Sequence, residues 1–153
     1  MAKEQKSGGD SRHVRDVMTK NPQTVTSRDN VVAAAKIMRD ADTGVVPVVD
    51  DRKIIGLITD RDIVVRMVAE SRSANDVKVS ELMTRSVRSV REDTPVNDVL
   101  SLMSNASVRR IPVVNSSDEL VGIVSMGDIA RETNKDGKVG QAVENISEAP
   151  PNN

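Results

Sequence analysis

The sequence predicts an α+β fold made of two β-α-β-β-α repeats packed about a pseudo-twofold axis. Three observations predict it. Distinct segments recur at one fixed offset, apolar residues after each candidate helix start follow a helical period, and two short apolar runs joined by a polar turn follow each helix.

The repeat comes first because it organises everything else. Val14-Arg15-Asp16-Val17-Met18-Thr19 aligns with Val79-Ser80-Glu81-Leu82-Met83-Thr84 at a shift of 65. The same shift places Val25 on Val90, Val31 on Val96, Ala35 on Leu100, Met38 on Met103 and Pro47 on Pro112. A one-residue insertion in the next turn makes the shift 66, and Gly56, Thr59 and Asp62 then match Gly122, Ser125 and Asp128. Repeats of roughly 60 residues are too small to be dependably stable alone, so the two are expected to share burial.

Within the second repeat, Thr94 is a suitable N-cap and Pro95 a suitable first helical residue. Val96, Val99, Leu100 and Met103 then mark one face of a helix. In the first repeat Asp29 is the expected cap, and Val31, Ala34, Ala35 and Met38 the expected face. The runs Val45 to Val49 and Ile54 to Ile58 flank a turn at Asp50 to Lys53 and read as a hairpin of buried strands. The second hairpin runs from Arg110 to Val114 and from Leu120 to Val124, with its turn at Asn115 to Asp118. Pro47 and Pro112 inside these runs favour edge strands or bulges. Closing helices follow, Asp60 to about Glu70 and Met126 to about Glu132. The expected domain organisation is therefore a disordered tail over 1–11, repeats at 12–75 and 76–133, and a polar tail over 134–153. Val139, Val143 and Ile146 in that last segment could instead line a short helix.

Composition removes several function classes. The chain has no cysteine, which excludes disulfides, thiol nucleophiles and Cys-based metal sites. It has no aromatic residue, so a planar ligand would have to sit between aliphatic side chains, and stacking platforms for single-stranded nucleic acid are absent. A formal net charge of −1 offers no global attraction to nucleic acid or to an anionic membrane. The polar N-terminus carries neither a signal-peptide pattern nor a transmembrane run, which points to the cytoplasm. The one histidine, His13, lies at the edge of the polar N-terminus and reads as a surface residue, which argues against His-based catalysis. Met38, Met67 and Met103 fall at core spacings and read as packing.

The segments that carry chemistry are Gly56-Leu57-Ile58-Thr59-Asp60-Arg61-Asp62 and Gly122-Ile123-Val124-Ser125-Met126-Gly127-Asp128. In each, a buried strand ends in a hydroxyl residue, and an acid follows three positions later in the first turn of a helix. Helix starts present unpaired N–H groups that favour phosphate, and an ionised Asp can accept both hydroxyls of a ribose diol. The plainer reading is an N-terminal capping arrangement. One copy alone would favour capping; two copies at matched positions favour ligand binding.

These segments, with Val17-Met18-Thr19, Leu82-Met83-Thr84 and the strands Val45-Val46-Pro47-Val48-Val49 and Arg110-Ile111-Pro112-Val113-Val114, resemble the CBS (cystathionine β-synthase) domain family. The resemblance covers about Val14 to Glu132, and a tandem of such repeats is the unit called a Bateman module. It implies a regulatory module that binds an adenosine-containing ligand (AMP, ADP, ATP, S-adenosylmethionine, NAD(H) or cyclic di-AMP, with AMP, ADP or ATP foremost) in clefts between the repeats, dimerises with itself and needs no cofactor for chemistry. By position, the resemblance makes Asp62 and Asp128 the ribose-binding acids, and Thr59 and Ser125 the hydroxyls that contact phosphate or ribose. It places Thr19 and Thr84 beside the adenosine, and Thr24, Val25, Ser89 and Val90 along the adenine edge. Arg109 and Arg110 occupy the phosphate-facing positions, where the first repeat has Gly44 and Val45. That lopsidedness suggests one strong site and one weak or empty one. Composition leaves no metal site built of Cys and His, no membrane-spanning run is expected, and the Arg109-Arg110 pair is too small a patch for nucleic acid. The output would act on an unnamed protein partner in trans. The other reading from this sequence is a ligand-free oligomerisation or docking module.

Overall fold

The computed structural model describes residues 12–134; segment 1–11 and the candidate helix around Val139, Val143 and Ile146 lie outside the described residues. In chain order the elements are β1 (Thr19–Lys20), α1 (Val31–Ala41), β2 (Val45–Asp50), β3 (Lys53–Thr59), α2 (Asp60–Ile63), α3 (Val79–Leu82), β4 (Val90–Arg91), α4 (Val96–Ala106), β5 (Arg110–Val114), β6 (Leu120–Ser125) and α5 (Met126–Asn134). The fold is mixed α+β, as the sequence predicts.

The described residues form two compact units, one of 12–20, 89–115 and 121–134, the other of 21–88 and 116–120. Each unit takes its lead-in segment from the opposite repeat. Val14 and Val17 are buried with Val96, Val99, Met103, Ile111, Val124 and Ile129. Val79, Leu82 and Met83 are buried with Val31, Ala34, Val46, Ile58 and Met67. The hydrogen bonds that seat the lead-ins obey the repeat. Val14 N donates to Thr94 O (2.8 Å) as Val79 N donates to Asp29 O (2.8 Å). Val96 N donates to Arg12 O (3.0 Å) as Val31 N donates to Val77 O (2.9 Å).

In the first unit a four-stranded sheet runs β1-β6-β5-β4, with β1 antiparallel to β6 and β4 parallel to β5. In the second, β2 and β3 form a hairpin, and Val25 makes a lone parallel bridge to Val48. Its turn is shorter than expected: Asp50 already pairs with Lys53, and Asp51 and Arg52 alone turn the chain with φ of 51° and 69°. Positive φ at both central residues matches the right-handed twist of the flanking strands. Pro112 lies on an interior strand, not an edge, and Pro47 also has a neighbour on either side. The reason is local. Val25 N donates to the Pro47 carbonyl (3.1 Å), so the missing Pro47 N–H would point to that same side, ahead of the short pairing, where no ladder bond is lost. The expected irregularity is present, as a register shift between Val48 and Val49.

Both helix starts fall one residue later than expected. Asn30, not Asp29, caps α1: its side-chain oxygen accepts from Val32 N (2.8 Å) while its amide donates to the Ala74 (3.0 Å) and Asn75 (3.1 Å) carbonyls. Asp29 instead accepts from Thr26 N (2.9 Å) and closes the preceding turn. In α4 Pro95 holds the cap position in extended conformation, and Thr94 lies outside. Val31, Ala34, Val96, Val99 and Met103 are buried as expected, whereas Ala35 is exposed and Ile37 packs on the core in its stead. Met38, Met67 and Met103 all pack in the cores. Replacing Asn30 with alanine removes the cap and both amide donors, so chemical denaturation should show a loss of about 1–2 kcal/mol. An unchanged midpoint would mean water caps the helix equally well.

The helix after β3 departs most from expectation. α2 is a single turn that passes into a π-helical turn over Val64–Val68, closed by Ala69 N donating to Val64 O (2.8 Å). The wide turn keeps Met67 buried and leaves Val64, Val65 and Val68 exposed. No helix of the described residues is long and apolar enough to cross a membrane.

Candidate functional site

The second unit places Thr59 at the end of β3, opposite Val45 at the start of β2. Thr59 Oγ1 accepts from Asp62 N (3.0 Å), and Thr59 N donates to Asp62 Oδ2 (2.9 Å). This reciprocal pair is a capping box, so the plainer reading of the motif is part of its geometry. The box engages one carboxylate oxygen. Asp62 is buried, and its other oxygen, Oδ1, lies 3.9 Å from Arg66 Nε. Arg66 is itself anchored, donating through Nη1 to the Leu82 (3.0 Å) and Met83 (3.3 Å) carbonyls.

Thr84 is exposed and lies alongside this strand end. Its backbone exchanges two hydrogen bonds with Leu57 (3.0 and 2.8 Å). That approach depends on Gly56, where a methyl group would lie 2.6 Å from the Thr84 carbonyl oxygen. Val25 is buried against β2 and Thr24 is exposed. Ser27 pins the segment by donating its hydroxyl (2.7 Å) and its amide (3.1 Å) to Asp50. These two bonds hold the Asp50 carboxyl below the usual carboxylate range. The second unit thus brings together Val45, Thr59, Asp62 and Thr84, with Thr24 and Val25 on the far edge of β2.

The first unit repeats the arrangement. Ser125 Oγ accepts from Asp128 N (2.9 Å), and Ser125 N donates to Asp128 Oδ2 (2.9 Å). Asp128 is buried, and its Oδ1 accepts from Arg131 Nη2. Thr19 pairs with Ile123, two residues before Ser125, as Thr84 pairs with Leu57. Gly122 again permits the approach, since a methyl group there would lie 2.9 Å from the Thr19 carbonyl oxygen. Val90 pairs with Val113 in the register that Val25 keeps with Val48, and Ser89 precedes it, exposed. Arg109 is half-buried and its carbonyl accepts from Met126 N (2.8 Å); Arg110 is exposed at the start of β5.

Sequence reasoning passed over the arginine facing each acid. The signal was present, since Arg66 follows Asp62 by four residues and Arg131 follows Asp128 by three, both neighbouring positions on a helix. Asp60, at the start of α2, lies against Gly44, a placement that needs the hairpin to be seen. His13 is half-buried, and its backbone bridges to Pro95. Among the described residues, no three His, Cys, Asp or Glu side chains are grouped so as to hold a metal ion.

The CBS domain family matches residues 14–69 and 79–135. The uncharacterised Bacillus subtilis protein YlbB is 40% identical over 137 residues, covering 88% of this chain and 91% of its own. The CBS domain pair of protein MJ0100, solved with 5′-methylthioadenosine and S-adenosyl-L-methionine, superposes with a TM-score of 0.71 at 34% identity, covering 82% of this chain and 98% of that one. The Arabidopsis thaliana CBS-pair protein CBSX2, solved in complex with AMP, gives a TM-score of 0.71 at 26% identity, with the same two coverages of 82% and 98%. The doubled strand-end boxes, the lead-in exchange and these matches agree: the chain belongs to the CBS domain family, as a tandem pair of CBS domains.

Proposed function

We propose that this chain is a non-enzymatic regulatory module that binds an adenosyl nucleotide at the strand-end sites of its two CBS repeats, 12–75 and 76–133. The observation that carries the reading is the pair of buried acids, Asp62 and Asp128, each with one oxygen spent on its cap and a second turned to an arginine. An ionised carboxylate has about four acceptor positions, so each acid retains capacity for the hydroxyls of a ribose. The complexes of similar CBS pairs with AMP, 5′-methylthioadenosine and S-adenosyl-L-methionine support an adenosine-containing ligand.

Thr19, Ser125, Asp128, Ser89 and Val90 serve the first unit's site, and Arg109 and Arg110 hold its phosphate. Thr24, Val25, Val45, Thr59, Asp62 and Thr84 serve the other. AMP, ADP or ATP is the regulatory ligand, no cofactor is required, and the protein works in the cytoplasm as a homodimer. Binding to the folded state stabilises the conformation that a protein partner reads in trans. The rival reading, a docking module without a ligand, draws on the exposed Val64, Val65 and Val68.

A thermal-shift panel of AMP, ADP, ATP, S-adenosylmethionine, NADH and cyclic di-AMP decides between them. A ligand at one hundred times its dissociation constant adds about 2.7 kcal/mol, a plain rise in melting temperature. If no ligand shifts the midpoint, the docking reading replaces this one. Replacing Arg109 and Arg110 together by alanine should weaken AMP at least tenfold, by losing charge-assisted bonds to phosphate. Unchanged AMP affinity would remove both arginines from the site.

A further inference from the structure

The two units carry different charges at three matched positions, which include the pair Arg109-Arg110 that the family resemblance sets facing phosphate. In the first unit these are Arg109, Arg110 and Met126, with Met126 N donating to Arg109 O (2.8 Å). In the second unit the matched residues are Gly44, Val45 and Asp60, with Asp60 N donating to Gly44 O (3.0 Å). One backbone hydrogen bond thus joins strand start to helix start in both units, while the residues at the matched positions change from two arginines and a methionine to a glycine, a valine and an aspartate.

Asp60 occupies the space that the missing Gly44 side chain leaves. A methyl group on Gly44 would lie 2.9 Å from Asp60 Oδ2 and 3.3 Å from Oδ1. Asp60 Oδ1 also accepts from Arg61 N (2.8 Å), which holds the carboxylate at this spot. Val45 beside it is buried and brings no charge. Of the cations near this strand end, Arg66 is committed to the Leu82 and Met83 carbonyls and lies 3.9 Å from Asp62, while Arg61 and Arg85, which follow Asp60 and Thr84, are exposed. A phosphate placed here would meet a like charge with no matching Arg109 or Arg110 to offset it.

We infer that the second unit's site selects an adenosine whose 5′ substituent is uncharged or positive, a thioether or a sulfonium, while the first unit's site takes the 5′-phosphate. The inference rests on the adenosyl-binding reading above and deepens it: the second site is neither a weak copy of the first nor vacant, but is tuned to another ligand class. The chain then reports two quantities, a nucleotide at one repeat and a sulfur-linked adenosyl compound at the other.

Calorimetry on the full chain tests this with three probes that share adenosine and differ at the 5′ end: AMP, 5′-methylthioadenosine and S-adenosylmethionine. Asp128→Ala disables the first site, and wild type saturated with AMP serves the same purpose should that variant not fold. At the remaining site S-adenosylmethionine should bind at least tenfold tighter than AMP. Asp60→Asn should cut that ratio at least fivefold and leave 5′-methylthioadenosine unchanged, because a neutral group does not sense the lost charge. The inference is overturned if AMP binds this site as tightly as S-adenosylmethionine, if Asp60→Asn leaves the ratio unaltered, or if the site binds none of the three while wild type still binds AMP. Failure of the adenosyl reading itself looks different: wild type then binds none of the probes.

Discussion

Replacing Gly56 by valine should destabilise the protein by about 3 kcal/mol or more. The cause is a backbone contact, which cannot turn aside as a side chain can. A Cβ at this position would come within 2.6 Å of the Thr84 carbonyl oxygen, the same oxygen that accepts from Leu57 N at 3.0 Å. Either the pairing of Leu57 with Thr84 opens, losing two hydrogen bonds, or β3 shifts and disturbs Ile58, which is fully buried. For a chain of 153 residues the melting temperature should fall by about 10 °C. Gly127 is the control. A methyl group there meets nothing nearer than 3.6 Å, and the residue lies within α5, so Gly127→Ala should stabilise by about 0.5–1 kcal/mol. If Gly56→Val melts like wild type, the close approach of Thr84 does not hold in solution, and the lead-in is seated differently.

Asp128→Ala should weaken the adenosyl ligand of the first unit about a hundredfold or more. Two hydroxyl donors to one ionised carboxylate are together worth about 3 kcal/mol at the low end, and each 1.4 kcal/mol is tenfold. Because Asp128 also caps α5, the variant should lose about 1 kcal/mol of stability as well. Ser125→Ala separates the two roles. It breaks the same capping box by removing the acceptor of Asp128 N, yet leaves the carboxylate in place. It should therefore cost similar stability but at most about tenfold in affinity. If both variants weaken binding equally, the carboxylate contributes no more than the Ser125 hydroxyl, and the contact of two ribose donors with Asp128 is wrong. The Arg131 guanidinium that faces Asp128 is largely exposed, with 72% of its side-chain surface accessible, so a ribose can displace it at small cost.

What could be read from the sequence and what could not divide along one physical line. The order of elements, the buried faces Val31/Ala34 and Val96/Val99/Met103, and the Thr59/Asp62 and Ser125/Asp128 pairs were legible because they rest on local periods and on one offset. The choice of Asn30 over Asp29 was not legible. Both residue types cap well, and the Ala74 and Asn75 carbonyls, which need a donor that a carboxylate lacks, lie 44 and 45 residues away. The π-helical turn at Val64–Val68 was likewise hidden: spacing marked Met67 as packing, but the widened turn that carries it depends on a core that includes the distant Val77 and Leu82.

By itself the sequence determined two repeats, their α+β elements and the residue types at each strand end, since these follow from short-range spacing and duplication. Tertiary structure alone decided that each lead-in is buried with the other repeat, and that Asp60 rather than a cation lies at Gly44. Both outcomes depend on distant backbone groups finding hydrogen-bond partners and on the space a missing side chain leaves. One-dimensional spacing encodes neither.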